Sequence, residues 1–355
     1  MKMKDNKEFI GYVGTYTKEN SEGIYKFTLD TEAKKISNVT LAAKLDNPTY
    51  VTINRNNEYL YSVVKEGESG GVAAYSIDSK TGELTEENRQ VVEGASPCHV
   101  SVDSRNRTVV TANYHKGTIE SFVVNEEDGT VNPATSIMAH EGSGPNKERQ
   151  EKPHAHYAGY TPDEKYVVCV DLGIDKIITY EIKNSALQEV NSLSVNPGSG
   201  PRHITFHPNG KYAYVMTELS SEVIVLTYNP SEGAFTELQY ISTIPEAFDE
   251  NSQGSAIHIS SDGRFVYAGN RGHNSIAVFS VDENSGQLTF IAHTSTEGNW
   301  PRDFVLDPTE KFLVASNEKS HNLVLFSRDE TTGKLTLLQS DVVVPEPVCV
   351  KFLNV

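Results

Sequence analysis

Short runs of alternating apolar and polar residues, broken by tight polar turns, recur along the whole chain. Aligned one beneath another, NPTYVTINRNNEYLYSVV, SPCHVSVDSRNRTVVTAN, GPRHITFHPNGKYAYVMTE, GSAIHISSDGRFVYAGNR and WPRDFVLDPTEKFLVASNE are one unit, and AHYAGYTPDEKYVVCVDL is a sixth copy with an altered entry. Each copy opens on an alternating run, turns through a polar tetrad such as HPNG or SSDG, and returns as an aromatic-rich run. A third apolar run follows, as in VAAYSID, IITYEIK or IAVFSVD, and a turn such as SKTGEL or ENSGQL leads to a fourth. Alternation marks strands and the short polar turns mark hairpins, so each unit predicts four antiparallel strands. The unit returns every ~46 residues or slightly more, a spacing that belongs to β-propeller blades.

The two ends complete the count. EPVCVKFLNV matches only the first strand of a unit, while GYVGTYT, GIYKFTLD and ISNVTLAAKL match only strands two to four. Joined, they form one blade that closes a ring and hides the sheet edges an open array leaves exposed. Six whole units and this composite predict an all-β, seven-bladed β-propeller, a single domain over residues 1–355 closed by the C-terminal strand joining the N-terminal blade. A β-sandwich leaves the repeat unexplained.

Charge narrows the class of partner. The 355 residues carry 48 acidic against 31 basic side chains, a net charge of −17, which argues against a nucleic-acid or anionic-membrane surface. The opening MKMKDNKEFIGYVGTYT has lysines but no apolar core, and no apolar window approaches a membrane span, so neither an export signal nor a spanning segment is expected. Cys98, Cys169 and Cys349 lie in separate units with no motif spacing, which predicts buried, reduced thiols in a cytoplasmic protein. No cofactor is expected, and the oligomeric state is not legible.

Propeller geometry turns the repeat into a site. Strand one of each blade lies nearest the channel and strand two returns, so residues just before strand one and just after strand two share one mouth. The first set includes His154 and His156 (KPHAHY), Arg202 and His203 (GPRH), and Arg302 and Asp303 (WPRD). The second includes Asn113, His115, Glu218, Arg271, Asn317 and Glu318. Two long connections, near 139–154 and 242–255, open on the same mouth, where long loops on a rigid scaffold shape binding sites. Two histidines two apart on a strand face one side, as a base and its orienter, a hydrogen-bonded pair or metal ligands, although no third ligand is evident beyond Glu218. Arg202 and Arg302 follow proline at matching positions and Glu218 can pair with an arginine, so structural ion pairing is the alternative for each. Arg271 replaces residues as different as Tyr114, Leu172 and Glu318 in other blades, so the blade itself does not require it.

The segments KPHAHYAGYTPDEKYVVCVDLG, GPRHITFHPNGKYAYVMTELSSEV and DGRFVYAGNRGHNSIAVF closely resemble the lactonase family of seven-bladed propellers, and the resemblance extends over essentially the whole chain. That family includes the bacterial propeller-type 6-phosphogluconolactonases and the fungal 3-carboxy-cis,cis-muconate lactonising enzymes. The resemblance implies a catalytic cluster of one histidine (His154 or His156), Arg202, Arg271 and Glu218; from their place at the mouth, His203, Arg302, Asn317 and Glu318 are expected to bind substrate, and no metal is expected. Lactone hydrolysis needs a base to activate water and fixed positive donors where carbonyl charge develops, which a neutral histidine and arginines supply. The expected activity is hydrolysis of 6-phosphogluconolactone, an anionic sugar lactone, to 6-phosphogluconate in the pentose phosphate pathway. A muconate-type cycloisomerase, needing nearly the same groups, and a non-catalytic binding platform are the alternatives.

Overall fold

The structure, a computed structural model, describes residues 7–354. The first six residues of the N-terminal run and Val355 of the C-terminal run therefore lie outside the described residues. Within that span, seven four-stranded antiparallel sheets form a ring. The first blade is the composite one, ordered Pro347–Phe352, Glu8–Thr15, Gly23–Asp30 and Lys35–Lys44 from the inside outwards. Blade 2 begins at Val51–Ile53, blade 3 at His99–Val102, blade 4 at Ala155–Tyr160, blade 5 at Pro201–Phe206, blade 6 at Gln253–Ile259 and blade 7 at Pro301–Leu306. These innermost strands touch their counterparts in neighbouring blades around a closed circuit.

The core lies between blades, and each side of a sheet faces a different neighbour. Val13 and Phe27 of blade 1 pack against Val314 and Leu325 of blade 7, whereas Tyr12 and Ile24 turn to Val51 and Leu60 of blade 2. Five further clusters repeat this between the remaining neighbours, so the ring is packed without a seam. Strands two and three are covered on both faces, which is why VVCVD and NLVLFSR read as nearly continuous apolar runs. Fourth strands form the outer rim and alternate more clearly, as in Val131–Ala139.

A repeated latch fastens blade to blade on the face opposite the mouth. The phenols of Tyr12, Tyr214 and Tyr267, each on a second strand, donate to the carbonyls of Gly82, Gly286 and Gly333 in the next blade's outer hairpin at 2.8, 3.0 and 2.8 Å. Gly286 sits at φ 72°, and a Cβ there would lie 2.5 Å from the Tyr212 ring, so both conformation and space demand glycine.

Candidate active site at the propeller mouth

A β-bulge at the entry of the inner strand aims the candidate residues. In blade 4 the register jumps from Ala155 to Tyr157, leaving His156 as the extra residue. Blade 5 skips Arg202 in the same way, and blade 7 skips Arg302. A bulge breaks alternation and turns its extra side chain away from the ladder. His156, Arg202 and Arg302 therefore converge on the throat, beside Thr49, Cys98 and Val348 from other blades. One residue further in, Tyr50, His99, Tyr157 and His203 stack into an aromatic stopper, with ring centroids 4.2 Å apart for Tyr50–His99 and 4.3 Å for His99–Tyr157.

Above the throat, Glu218 is the hub of an arginine cluster. Its Oε2 accepts from Arg202 Nε at 3.1 Å and Arg271 Nη2 at 2.6 Å, and its Oε1 accepts from Arg149 Nη2. Arg202 also donates to the Ser255 carbonyl at 2.7 Å, and Arg271 to that of Gly254 at 2.6 Å. Burial opposes ionisation of Glu218, but Arg271 and Arg202 outweigh it and hold the carboxyl well below the usual range. Burial and the neighbouring guanidiniums of Arg271 and Arg302 push Arg202 down to about 9, still protonated at neutral pH. Glu218 is thus a fixed anion and a weak base.

His156 has the complementary character. It is buried, its Nδ1 has no hydrogen-bond partner, and its ring lies 5.3 Å from that of His203. Burial, then the charge of Arg202, drives its pKa well below 6.5, so the imidazole is neutral at physiological pH. The bulge is what buries the ring beside the guanidiniums.

His154 does not join it. The strand begins at Ala155 and the bulge follows, so the two imidazoles do not share one side of a strand. His154 stacks on Tyr114 at 4.1 Å, with Nδ1 2.8 Å from the Tyr114 carbonyl and Nε2 3.1 Å from the Glu151 carboxylate. Its place is in the foundation of the 139–154 loop. Asn317 is likewise absent from the cavity wall: it is fully buried and donates to the Thr296 carbonyl at 2.9 Å, as Asn113 does to Ala95 and Asn270 to Thr243. An asparagine ending strand two is a repeated brace for the preceding connection. His203 belongs to the stopper layer and the small chamber above it, and Glu318 faces Arg302 at 3.6 Å. Cys98 precedes its strand, is half-buried and lines the cavity; burial raises its thiol to about 11, so it stays protonated.

The mouth cavity has a volume of ≈ 550 Å³ and is walled by His156, Glu218, Arg149, Arg271, Arg302 and Trp300, with Lys18 and Lys65 at its rim. Five cations and one carboxylate thus face a single cavity in a chain of net charge −17. Sequence reasoning did not single out Arg149, Lys18, Lys65 or Trp300. Arg149 sits in the irregular 139–154 loop, whose base is pinned where His140 bridges Asp171 at 2.6 Å and Tyr180 at 2.9 Å. Its partner is 69 residues away, so no local spacing announces it. Lys18 follows the second strand of blade 1 and Lys65 lies at the end of that of blade 2, so the rule that found Glu218 reaches both. Among the described residues, no group of three or more His, Cys, Asp or Glu is arranged to hold a metal ion.

Comparison with known proteins adds family context to this geometry. Residues 10–352 match the family model for lactonases with a 7-bladed β-propeller. The chain is 63% identical over 347 residues to the 6-phosphogluconolactonase of Bacillus subtilis, covering 98% of this chain and 99% of that protein. A Lactobacillus plantarum protein of known structure superposes with a TM-score of 0.94 at 44% identity, covering 98% of this chain and 100% of that one. The periplasmic gluconolactonase of Pseudomonas aeruginosa superposes with a TM-score of 0.92 at 30% identity, covering 98% and 99%.

Proposed function

The chain belongs to the lactonase family of seven-bladed β-propellers, and on that premise we propose that it hydrolyses 6-phosphogluconolactone to 6-phosphogluconate at the mouth cavity. The observation that carries this reading is a neutral imidazole, His156, in the wall of a cavity bearing five cations and one carboxylate. In this reading His156 takes a proton from water as the oxygen adds to the lactone carbonyl carbon. Arg271, pinned by Glu218, faces the negative charge that develops on the carbonyl oxygen, as a preformed donor. The ring C–O bond then breaks, and the leaving oxygen recovers the proton from the His156 imidazolium. Glu218 holds its arginines in place and takes no proton, because its carboxyl is too acidic.

A phosphorylated sugar acid as product fits a cytoplasmic enzyme of the pentose phosphate pathway. Free thiols at Cys98, Cys169 and Cys349 accord with that compartment. The test is the rate of 6-phosphogluconolactone opening, corrected for spontaneous hydrolysis. Enzyme-dependent turnover saturating with substrate is expected; a rate no higher than the spontaneous one at any enzyme concentration rejects the reading.

A further inference from the structure

We propose that the arc of the mouth built by blades 7, 1 and 2 is a phosphate-recognition pole, in which Lys18 and Lys65 make the protein prefer phosphorylated lactones to unphosphorylated ones. The inference rests on the hydrolase reading above and assigns a substrate feature to the part of the cavity that reading leaves unused.

The cavity wall is divided. Blades 4, 5 and 6 supply His156, Glu218 and Arg271, with Arg149 from the connection into blade 4, and both arginines bond to the Glu218 carboxylate. The opposite arc supplies Arg302, Lys18 and Lys65, with Thr49 and Asn47 between them and no carboxylate in the wall. Two of its cations converge on one ring. The Lys18 ammonium lies 3.6 Å from the Tyr16 centroid, and the Arg302 guanidinium lies 5.2 Å from it. Arg302 approaches the Glu318 carboxylate only to 3.6 Å, beyond hydrogen-bond reach. Neither Lys18 nor Lys65 forms an ion pair among the described residues, whereas Lys26, Lys44 and Lys183 pair with Glu83, Glu22 and Glu181.

The lysines are placed by the fold. Lys65 lies at the end of the second strand of blade 2, Tyr59–Glu66. Lys18 sits in the turn after Glu8–Thr15, and this turn is fixed because the amides of Lys18 and Glu19 donate to the Glu346 carboxylate at 3.2 and 2.9 Å. In an acidic chain, two ammoniums without an ion-pair partner among the described residues, beside Arg302, whose carboxylate neighbour Glu318 stands 3.6 Å away, make a site for a multiply charged anion. A 6-phosphorylated aldonolactone carries its dianion on the exocyclic C6, several bonds outside the ring that holds the carbonyl. With the carbonyl against His156 and Arg271, the phosphate faces the arc across the cavity, where compact ammonium charges suit it. A lactone lacking the phosphate leaves that arc unmatched.

The test compares kcat/KM for 6-phosphogluconolactone and unsubstituted glucono-δ-lactone in the wild type, Lys18→Ala, Lys65→Ala, the double variant and the Lys→Arg replacements. Each alanine is expected to lower the phosphorylated-to-unphosphorylated ratio about fivefold and the pair about thirtyfold, chiefly through KM, in line with charge-assisted contacts at a partly exposed site. The arginine variants are expected to retain most of the preference. A ratio unmoved in the double variant, or equal losses with both lactones, overturns the proposal. Should the wild type open neither lactone, the hydrolase reading fails, and calorimetry of 6-phosphogluconate against gluconate then decides the pole separately. A preference for the phosphorylated acid that the double variant loses supports it, and equal binding of the two acids overturns it.

Discussion

The two faces of the propeller carry different connections on the same scaffold: short turns on the far face, and at the mouth two long loops near 139–154 and 242–255. On the far face the turns bond within themselves and to the next blade's turn: Asp103 accepts from the amides of Arg107 and Thr108, Ser260 donates to Asp262, Asp307 accepts from the Phe312 amide, and Glu164 accepts from Ser104. Other bonds between blades there are the tyrosine-to-glycine latches and contacts such as the Ser261 amide to Glu310 and Arg264 to the Glu330 carbonyl. At the mouth the ionisable groups bond across blades, with Glu218 drawing in Arg149, Arg202 and Arg271. Buried polar atoms without a partner occur on both sides, at His156 Nδ1, His203 Nε2 and Arg271 Nε below the mouth and at Tyr228 Oη and Arg328 Nη2 towards the far face. The far face therefore ties neighbouring turns together, and the mouth gathers its charged groups around one carboxylate beside an open cavity.

The largest effect should come from removing the hub. Glu218→Ala leaves three guanidiniums without their shared anion, so kcat/KM should fall by about 10³ or more and stability by about 3–5 kcal/mol. Steady-state kinetics and denaturant melts on the same variant check both. A stable but inactive variant would move Glu218 from hub to direct participant, and an active one would remove it from the chemistry.

Acidity sharpens the contrast next. His99, His156 and His203 are kept neutral by burial, with pKa values well below 6.5. In the unfolded chain they take up protons below about pH 6.5, so the unfolded state binds more protons there and stability falls as pH falls, by up to about 1.4 kcal/mol per pH unit for each histidine. Glu218, whose pKa is depressed, begins to lose its contribution only as pH falls through about 4.5, where the unfolded carboxyl takes up a proton, and has lost it at its own lower pKa. Thermal melts should therefore show Tm declining from about pH 6.5 downwards, before any carboxylate is lost. A Tm flat between about pH 7 and 5 would show that the stopper histidines are solvated in the native state.

The smallest effect belongs to the far face. Tyr214→Phe removes the bond to the Gly286 carbonyl and should cost about 1 kcal/mol of stability while leaving kcat/KM within about twofold of the wild type. A loss of turnover without a loss of stability would mean the two faces are coupled.

Blades, turns and ring closure were legible because hairpin periodicity and inter-blade burial are written locally in each repeat. The mouth was legible as far as blade geometry carries it: His156, Arg202, Glu218, Arg271 and Arg302 occupy the cavity or its throat. His154 and Asn317 were misplaced for identifiable reasons. Strict alternation fails at an entry bulge, and a brace repeated in three blades resembles a polar site residue when one copy is read alone. Arg149 was not legible at all, since its role depends on how a long loop folds back over a carboxylate two blades of sequence away.

The measurement that bears most directly on a mouth specialised for chemistry is kcat/KM and Tm together for His156→Asn. The variant removes a buried imidazole whose Nδ1 bonds to nothing, so the fold has little to lose. Turnover of 6-phosphogluconolactone should fall at least about a hundredfold, the loss of a general base, while Tm stays within about 2 °C. Wild-type turnover in the variant, or activity and stability lost in parallel, would contradict the assignment of His156 as the base.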